Sequence, residues 1–297
     1  MAGVDLGPSF CSSGKPIRAL PSIYPSVRLI LHERTRMQVD VPKWRGTLEQ
    51  TMKMSKSRVV VETLNYATLS AFSPSGTVLT PEVVLDAISN DQNGAYHLFA
   101  ATQKVLDEYE NRKALKEILQ RDPKLLKFSG LVFNQLLVEI GIAIMDHLPG
   151  PHFTFIDPYW ALPQEDSDNN SLTEMTAHEI VGHARRLHGM FVAAGIDGQR
   201  VIIGIPATQS GVFAAAKLEA EWNISTNLYL ISGLIHAIAC AEAHPAFITI
   251  DVAAVLAWYE QSAQVTCPSP EDWVGGSATN HPGVIAIQSI VRYYKCI

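Results

Sequence analysis

The stretch VIIGIPATQSGVFAAAKLEAEWNISTNLYLIS, Val201 to Ser232, decides the fold. With Arg200 in front, its first part is a β-branched apolar run stopped by Pro206, which predicts a buried strand over Arg200–Pro206. Gly211–Trp222 then carries alanines and one leucine at helical spacing, and Asn227–Ser232 reads as a second strand. A strand, a helix of some twelve residues and a further strand form the unit from which parallel sheets are built. Leu172–Ala194, before the stretch, predicts a helix closed by Gly195 in a left-handed cap.

The same alternation extends in both directions. Downstream, Gly233–Ala243 predicts a small-residue helix, Ala246–Val252 a strand, Ala253–Tyr259 the start of a helix, 262–282 a loop, and Val284–Lys295 a last helix. Upstream, His152–Asp157 is a strand ended by Pro158, preceded by helical stretches that include Leu106–Leu119 and Leu131–Met145. Gly76–Leu79 is a short strand ended at Thr80-Pro81, and Arg58–Thr63 a buried-strand run that follows a capping box at Thr47–Gln50 and a helix toward Lys56. Val27–Leu31 and Met37–Val41 alternate as two further strands, and residues 1–25, punctuated by Gly7-Pro8, Gly14, Pro16, Pro21 and Pro25, form an irregular arm. This divides the chain into an N-terminal arm with possible extra strands over 1–45 and one α/β unit over 46–297. Periodicity alone does not separate a barrel from an open doubly wound sheet.

Composition narrows the function classes. With 47% hydrophobic and 18% charged residues among 297, the chain has the makings of a sizeable core. A net charge of −6 argues against a nucleic-acid partner and against attraction to an anionic membrane surface. No segment is expected to reach the roughly 18 apolar residues that would span a bilayer, and no basic stretch leads into an apolar one at the N-terminus, so a cytoplasmic location is expected. Cys11, Cys240, Cys267 and Cys296 are far apart and form no CxxC pair, which suggests neither a zinc site nor a disulfide framework.

Several segments together resemble the transaldolase family, in the right order. Val59-Val-Val-Glu-Thr63 with Ser73-Pro-Ser-Gly-Thr-Val-Leu-Thr-Pro81 resembles the family's first strand and the turn after its second. Ala194 through Thr208 is similar to the strand that ends in the Schiff-base lysine, and Asn227-Leu-Tyr-Leu230 with Ala237-Ile-Ala-Cys-Ala-Glu-Ala243 to the next strand and helix. Ile248 to Tyr259 and His281 to Lys295 continue the match, which covers about residues 58–295. The resemblance implies a TIM-type (β/α) barrel. The family continues for two more strands and helices, so this chain reads as a C-terminally shortened barrel, and an open parallel sheet exposes unpaired edges. The N-terminal strands are expected to complete the barrel, with homodimerisation across the open edge as the competing solution.

The departures from the family carry the functional expectation. Transaldolases bind the sugar carbonyl to a lysine as an imine, and the resemblance places Gly204 at that position. It places Phe155 at the family's catalytic glutamate, Glu62 at the first-strand aspartate, Thr80 at the turn asparagine, Tyr229 at the threonine near the imine, Thr249 at a serine and Ala254 at the phosphate-binding arginine. Asn227 and Asp157 remain as in the family. With Pro206 added, the mouth loses its nucleophile, proton shuttle and phosphate clamp and becomes less polar.

Alternate strand residues point into a barrel, whose active site lies at the C-terminal ends of its strands. On that rule Glu62, Asp157, Tyr229 and Asp251 are the candidate catalytic residues, and Thr80, Phe155, Gly204, Pro206, Asn227 and Thr249 the candidate substrate-binding residues. The bland readings stand beside them: Tyr229 fills vacated space, Asp251 caps a turn, and Glu62 and Asp157 are scaffold hydrogen bonders. His178 and His183 are five apart instead of the four a helical zinc pair needs, so they are expected on a solvated helix face. His236 is expected on a helix face near the rim. The reading is a divergent enzyme acting non-covalently on an apolar, unphosphorylated small molecule, with no cofactor and no metal. Its alternative is an inactive binding or partner protein.

Overall fold

The computed structural model describes residues 29–32, 50, 58–64, 74–90, 92–110, 122–161, 169–252, 254 and 282–296. Its strands are β1 (Leu29–His32), β2 (Val60–Val61), β3 (Gly76–Val78), β4 (His152–Phe155), β5 (Val201–Pro206), β6 (Thr226–Tyr229) and β7 (Phe247–Ile250). The helices are α1 (Pro81–Asn90), α2 (Gln92–Glu110), α3 (Asp122–Met145), α4 (Asn169–Ala193), α5 (Gln209–Trp222), α6 (Leu234–Ala241) and α7 (Pro282–Tyr294). The sheet order is β1-β7-β6-β5-β4-β3-β2. From β2 to β7 every neighbouring pair is parallel, as the βα repeat predicts.

The sheet curls. In a flat sheet β4 and β7, with two strands between them, would be roughly 14 Å apart, yet the Phe153 and Phe247 rings meet edge to face with centroids 4.9 Å apart. They belong to a cluster with Val60, Val78 and Ile202, one residue from each of β2, β3 and β5. These five residues fill the concave side, and other strand residues, Val61, Ile203, Leu228, Ile248 and Ile250 among them, pack outward into the helix layer. The fold is thus a partial TIM-type barrel of six parallel strands.

β1 adds a seventh strand at the β7 edge. It runs antiparallel, with Leu29 opposite Ile250 and His32 opposite Phe247. The N-terminal segment therefore does extend the sheet, in the opposite direction to a barrel strand. The expected strand at 37–41 lies outside the described residues, as do the loop at 262–282 except Pro282 and all but Gln50 and Ala254 of the helices at 47–56 and 253–259.

α3 contains an 18-residue window, Phe128–Met145, long and apolar enough to cross a membrane by length and composition. This corrects the impression that no such segment exists. Leu136, Leu137, Val138, Ile140 and Ile144 are buried in the main core, so the window is the apolar face of a core helix.

Two charged side chains staple the end of the sheet where the strands begin. Arg200 donates from Nη2 to the carbonyls of Leu148 at 2.5 Å and Met145 at 3.3 Å, and from Nε to Gly150 at 3.3 Å. A cation thereby satisfies orphan carbonyls at the C-terminus of α3 and meets its negative dipole end. Glu219 of α5 accepts at Oε1 from Thr226 N (2.6 Å), Thr226 Oγ1 (2.7 Å) and Ala246 N (2.8 Å), tying the starts of β6 and β7 together. Glu219→Gln keeps the shape and loses the charge, so urea denaturation is expected to show a loss of about 1 kcal/mol. An unchanged midpoint and slope would show that this carboxylate staples nothing.

Candidate active site at the strand ends

The inward-facing parity set by Val60, Val78, Phe153, Ile202 and Phe247 carries two residues further along each strand to Glu62, Thr80, Phe155, Gly204 and Thr249. On β6, Leu228 lies in the outer core, so Asn227 and Tyr229 face inward. The strand residues named as candidates therefore fall on the concave side or just beyond it, at the C-terminal ends of the strands.

Phe155 and Gly204 are register partners across β4 and β5, as Gly204 and Asn227 are across β5 and β6, and Pro206 and Tyr229 one step higher. A Cβ at Gly204 would lie 2.8 Å from the carbonyl oxygen of Thr154 and 3.4 Å from Phe155 Cβ. The two strands have closed around the bare α-carbon, so the position is filled by backbone. The ring of Phe155 is buried and packs edge to face on Phe133 of α3, with centroids 5.9 Å apart.

The polar candidates engage one another or the backbone. Thr80 Oγ1 donates to Glu62 Oε1 and accepts from Val83 N at 3.3 Å, so one hydroxyl holds the carboxylate and caps α1, whose first residue is Pro81. Thr249 Oγ1 donates to Asn227 Oδ1 at 2.8 Å in a buried pair. Asp157 Oδ1 accepts from Tyr159 N at 3.0 Å and caps a 3-10 turn at Pro158–Ala161. Asp251 Oδ1 accepts from Ala254 N at 2.9 Å, opening the turn after β7 in the same way. The turn cap weighed as the bland reading for Asp251 is therefore present, as is the scaffold hydrogen bond weighed for Asp157. Tyr229 is half-buried at the end of β6.

Two histidines differ from expectation. His183 is half-buried and stacks on Trp160 of the 3-10 turn, with centroids 4.3 Å apart and planes at 21°. Burial, with Arg186 nearby, holds its imidazole below the ordinary value, against the opposing pull of Glu179 and Asp157. Trp160 arrives from a segment far away in the chain, so no local spacing announced this stack. His236 does more than lie on a helix face: its Nε2 meets Ala207 O at 2.6 Å, and its Nδ1 lies 3.3 Å from Ser232 Oγ. Ser232 was overlooked in the sequence, although its spacing of four from His236 was a readable signal.

The profile of the Transaldolase/Fructose-6-phosphate aldolase family matches residues 97–297. The chain belongs to this family. Among its relatives, a transaldolase of Synechocystis sp. is 31% identical over 237 residues, which cover 80% of this chain and 52% of the relative. A transaldolase of Kluyveromyces lactis is 29% identical over 253 residues, 85% of this chain and 65% of the relative. One of Trichormus variabilis is 30% identical over 252 residues, 84% and 65%. This transaldolase-family chain thus spans between about half and two thirds of the length of these relatives.

Proposed function

We propose that this transaldolase-family protein forms no imine and acts by non-covalent acid–base or templating chemistry on an apolar, unphosphorylated small molecule. The reaction class is an isomerisation, a cyclisation or an aldol-type lyase step, in specialised metabolism. The observation that carries the reading is the Phe155–Gly204 pair on the concave face, where the carbonyl of Thr154 would stand 2.8 Å from any Cβ at position 204. A ketose carbonyl entering there meets an aromatic ring and a backbone instead of an amine. Glu62, oriented by Thr80, is the base of this proposal and Tyr229 its acid. The reading carries with it a cytoplasmic protein and a homodimer, with no nucleic-acid or membrane partner and no cofactor.

A second reading, a family member that binds without catalysing, is favoured by the use of Asp157 and Asp251 as caps and by the closed Asn227–Thr249 pair. Native mass spectrometry of the purified protein, followed by identification of the copurifying small molecule, separates the two. The catalytic reading expects turnover of that molecule, reduced by roughly 10²–10⁴-fold in Glu62→Gln with binding retained. Binding without turnover would leave the second reading. Micromolar affinity for a ketose phosphate in calorimetry would sink the first.

A further inference from the structure

The turn between β6 and α6 uses groups that the concave site does not. Ser232 Oγ lies 3.3 Å from His236 Nδ1, and His236 Nε2 lies 2.6 Å from the carbonyl oxygen of Ala207. A carbonyl only accepts, so Nε2 carries the proton and donates to it. The backbone N–H of Ser232 donates to Nδ1 at 3.4 Å, so Nδ1 is the unprotonated nitrogen, and it faces the serine hydroxyl as well. Ala207 is itself held, its N–H donating to Tyr229 O at 2.8 Å, so the imidazole is anchored to the rims of β5 and β6. A hydroxyl, a base within hydrogen-bond reach and a third group that orients the base make up the arrangement of an activated nucleophile.

The surroundings supply the other two parts of an acyl-transfer site. No side chain caps the first turn of α6, which begins with Gly233 at its N-cap, directly after Ser232. Helix N-terminal N–H groups without intrahelical acceptors are donors for a developing oxyanion. Around them stand Leu230, Leu234 and Ile235, exposed to 68%, 37% and 84%. Leu230 is held at φ 64°, in the left-handed region that a leucine rarely adopts, directly after the end of β6, and Ser232 two residues on is exposed.

We infer that Ser232 is a nucleophile activated by His236, at a rim site that accepts activated esters with an apolar acyl group. In the first step Ser232 Oγ forms a bond to the acyl carbon as its proton passes to His236 Nδ1, and the carbon–oxygen bond to the alcohol breaks, the alcohol leaving with that proton. Water, deprotonated by the same nitrogen, then attacks the acyl carbon and releases the carboxylic acid and free Ser232. No redox partner and no cofactor enters the balance. The inference is independent of the chemistry proposed for the concave face.

The test uses the full chain with diisopropyl fluorophosphate, where the Ser232 oxygen–phosphorus bond forms, the phosphorus–fluorine bond breaks and fluoride leaves. Intact-mass and peptide mapping are expected to show one adduct, on Ser232, that is absent in Ser232→Ala. In His236→Gln, whose amide oxygen still accepts from the Ser232 N–H, labelling is expected to slow by roughly 10²-fold or more. In His236→Gly, added imidazole is expected to restore part of the rate, which a purely structural histidine would not allow. Hydrolysis of p-nitrophenyl butyrate should follow the same order among the variants. No adduct on Ser232, or equal labelling rates in the wild type and His236→Gln, overturns the inference.

Discussion

Gly204→Lys is expected to leave the protein without a trappable imine and less stable by about 2 kcal/mol, a fall of roughly 4–8 °C in Tm. The first atom of any side chain there meets the Thr154 carbonyl oxygen at 2.8 Å, and that oxygen belongs to the neighbouring strand. Strand β5 cannot simply shift away from it, because Ile203 and Ile205, the residues on either side of Gly204, are fully buried against the helices. Phe155 lies alongside, so an amine that did fit would have a ring where a proton shuttle is needed. Gly204→Ala is the control, since it adds the offending carbon alone and should account for much of the same loss. Borohydride reduction in the presence of a ketose phosphate, read by intact mass, tests the chemistry. A reduced sugar adduct mapped to position 204 would show that one substitution restores the family's covalent step, and the proposed function would fall with it.

Between pH 6.5 and about 3 the protein is expected to lose stability through one buried histidine. His152, at the start of β4, is completely buried, with Nδ1 2.9 Å from Thr77 Oγ1 and its ring 5.9 Å from that of Phe191. Its Nε2 has no hydrogen-bond partner among the described residues. Burial, and secondarily the Arg200 guanidinium, lowers its pKa from 6.5 to about 3. Below pH 6.5 the unfolded chain takes up a proton that the folded chain refuses, so stability present above that pH is lost as pH falls. The loss runs at about 1.4 kcal/mol per pH unit until the folded protein also protonates, which makes it about 2 kcal/mol at pH 5. His152→Gln keeps a partner for Thr77 and does not titrate. Its stability relative to the wild type is expected to improve by about 2 kcal/mol between pH 7.5 and pH 5 in urea melts. Parallel acid limbs in the two proteins would show that His152 is not the group concerned.

The parallel sheet was legible because several of its elements carry their own stop signals. Pro158 follows β4 closely, Pro206 ends β5, and Gly195, at φ 87°, closes α4 as its left-handed cap. The concave face was legible for a related reason: with side chains alternating along every strand, the apolar layer at Val78, Phe153 and Ile202 decides where Thr80, Phe155 and Gly204 point. β6 was read three residues too long at its C-terminal end. Asn227–Ser232 continues as an apolar pattern, but Leu230 adopts a positive φ and the strand ends at Tyr229. The stack of His183 on Trp160 was missed because stacking joins residues more than twenty apart, which no periodicity encodes.

By itself the sequence determined the order of the elements, the inward set of residues and the absence of an amine at position 204, since all three follow from local pattern and residue identity. The tertiary structure alone decided what those residues do with their polar atoms. Asp157 and Asp251 became caps, Glu62 met Thr80 across a gap of 18 residues, and His236 met Ala207 across 29. It also decided that β1 joins the sheet beside β7 in antiparallel sense. Hydrogen bonds and strand pairings of this kind depend on which atoms the closed chain brings within about 3 Å of each other, and that distance is a property of packing, to which no single segment holds the key.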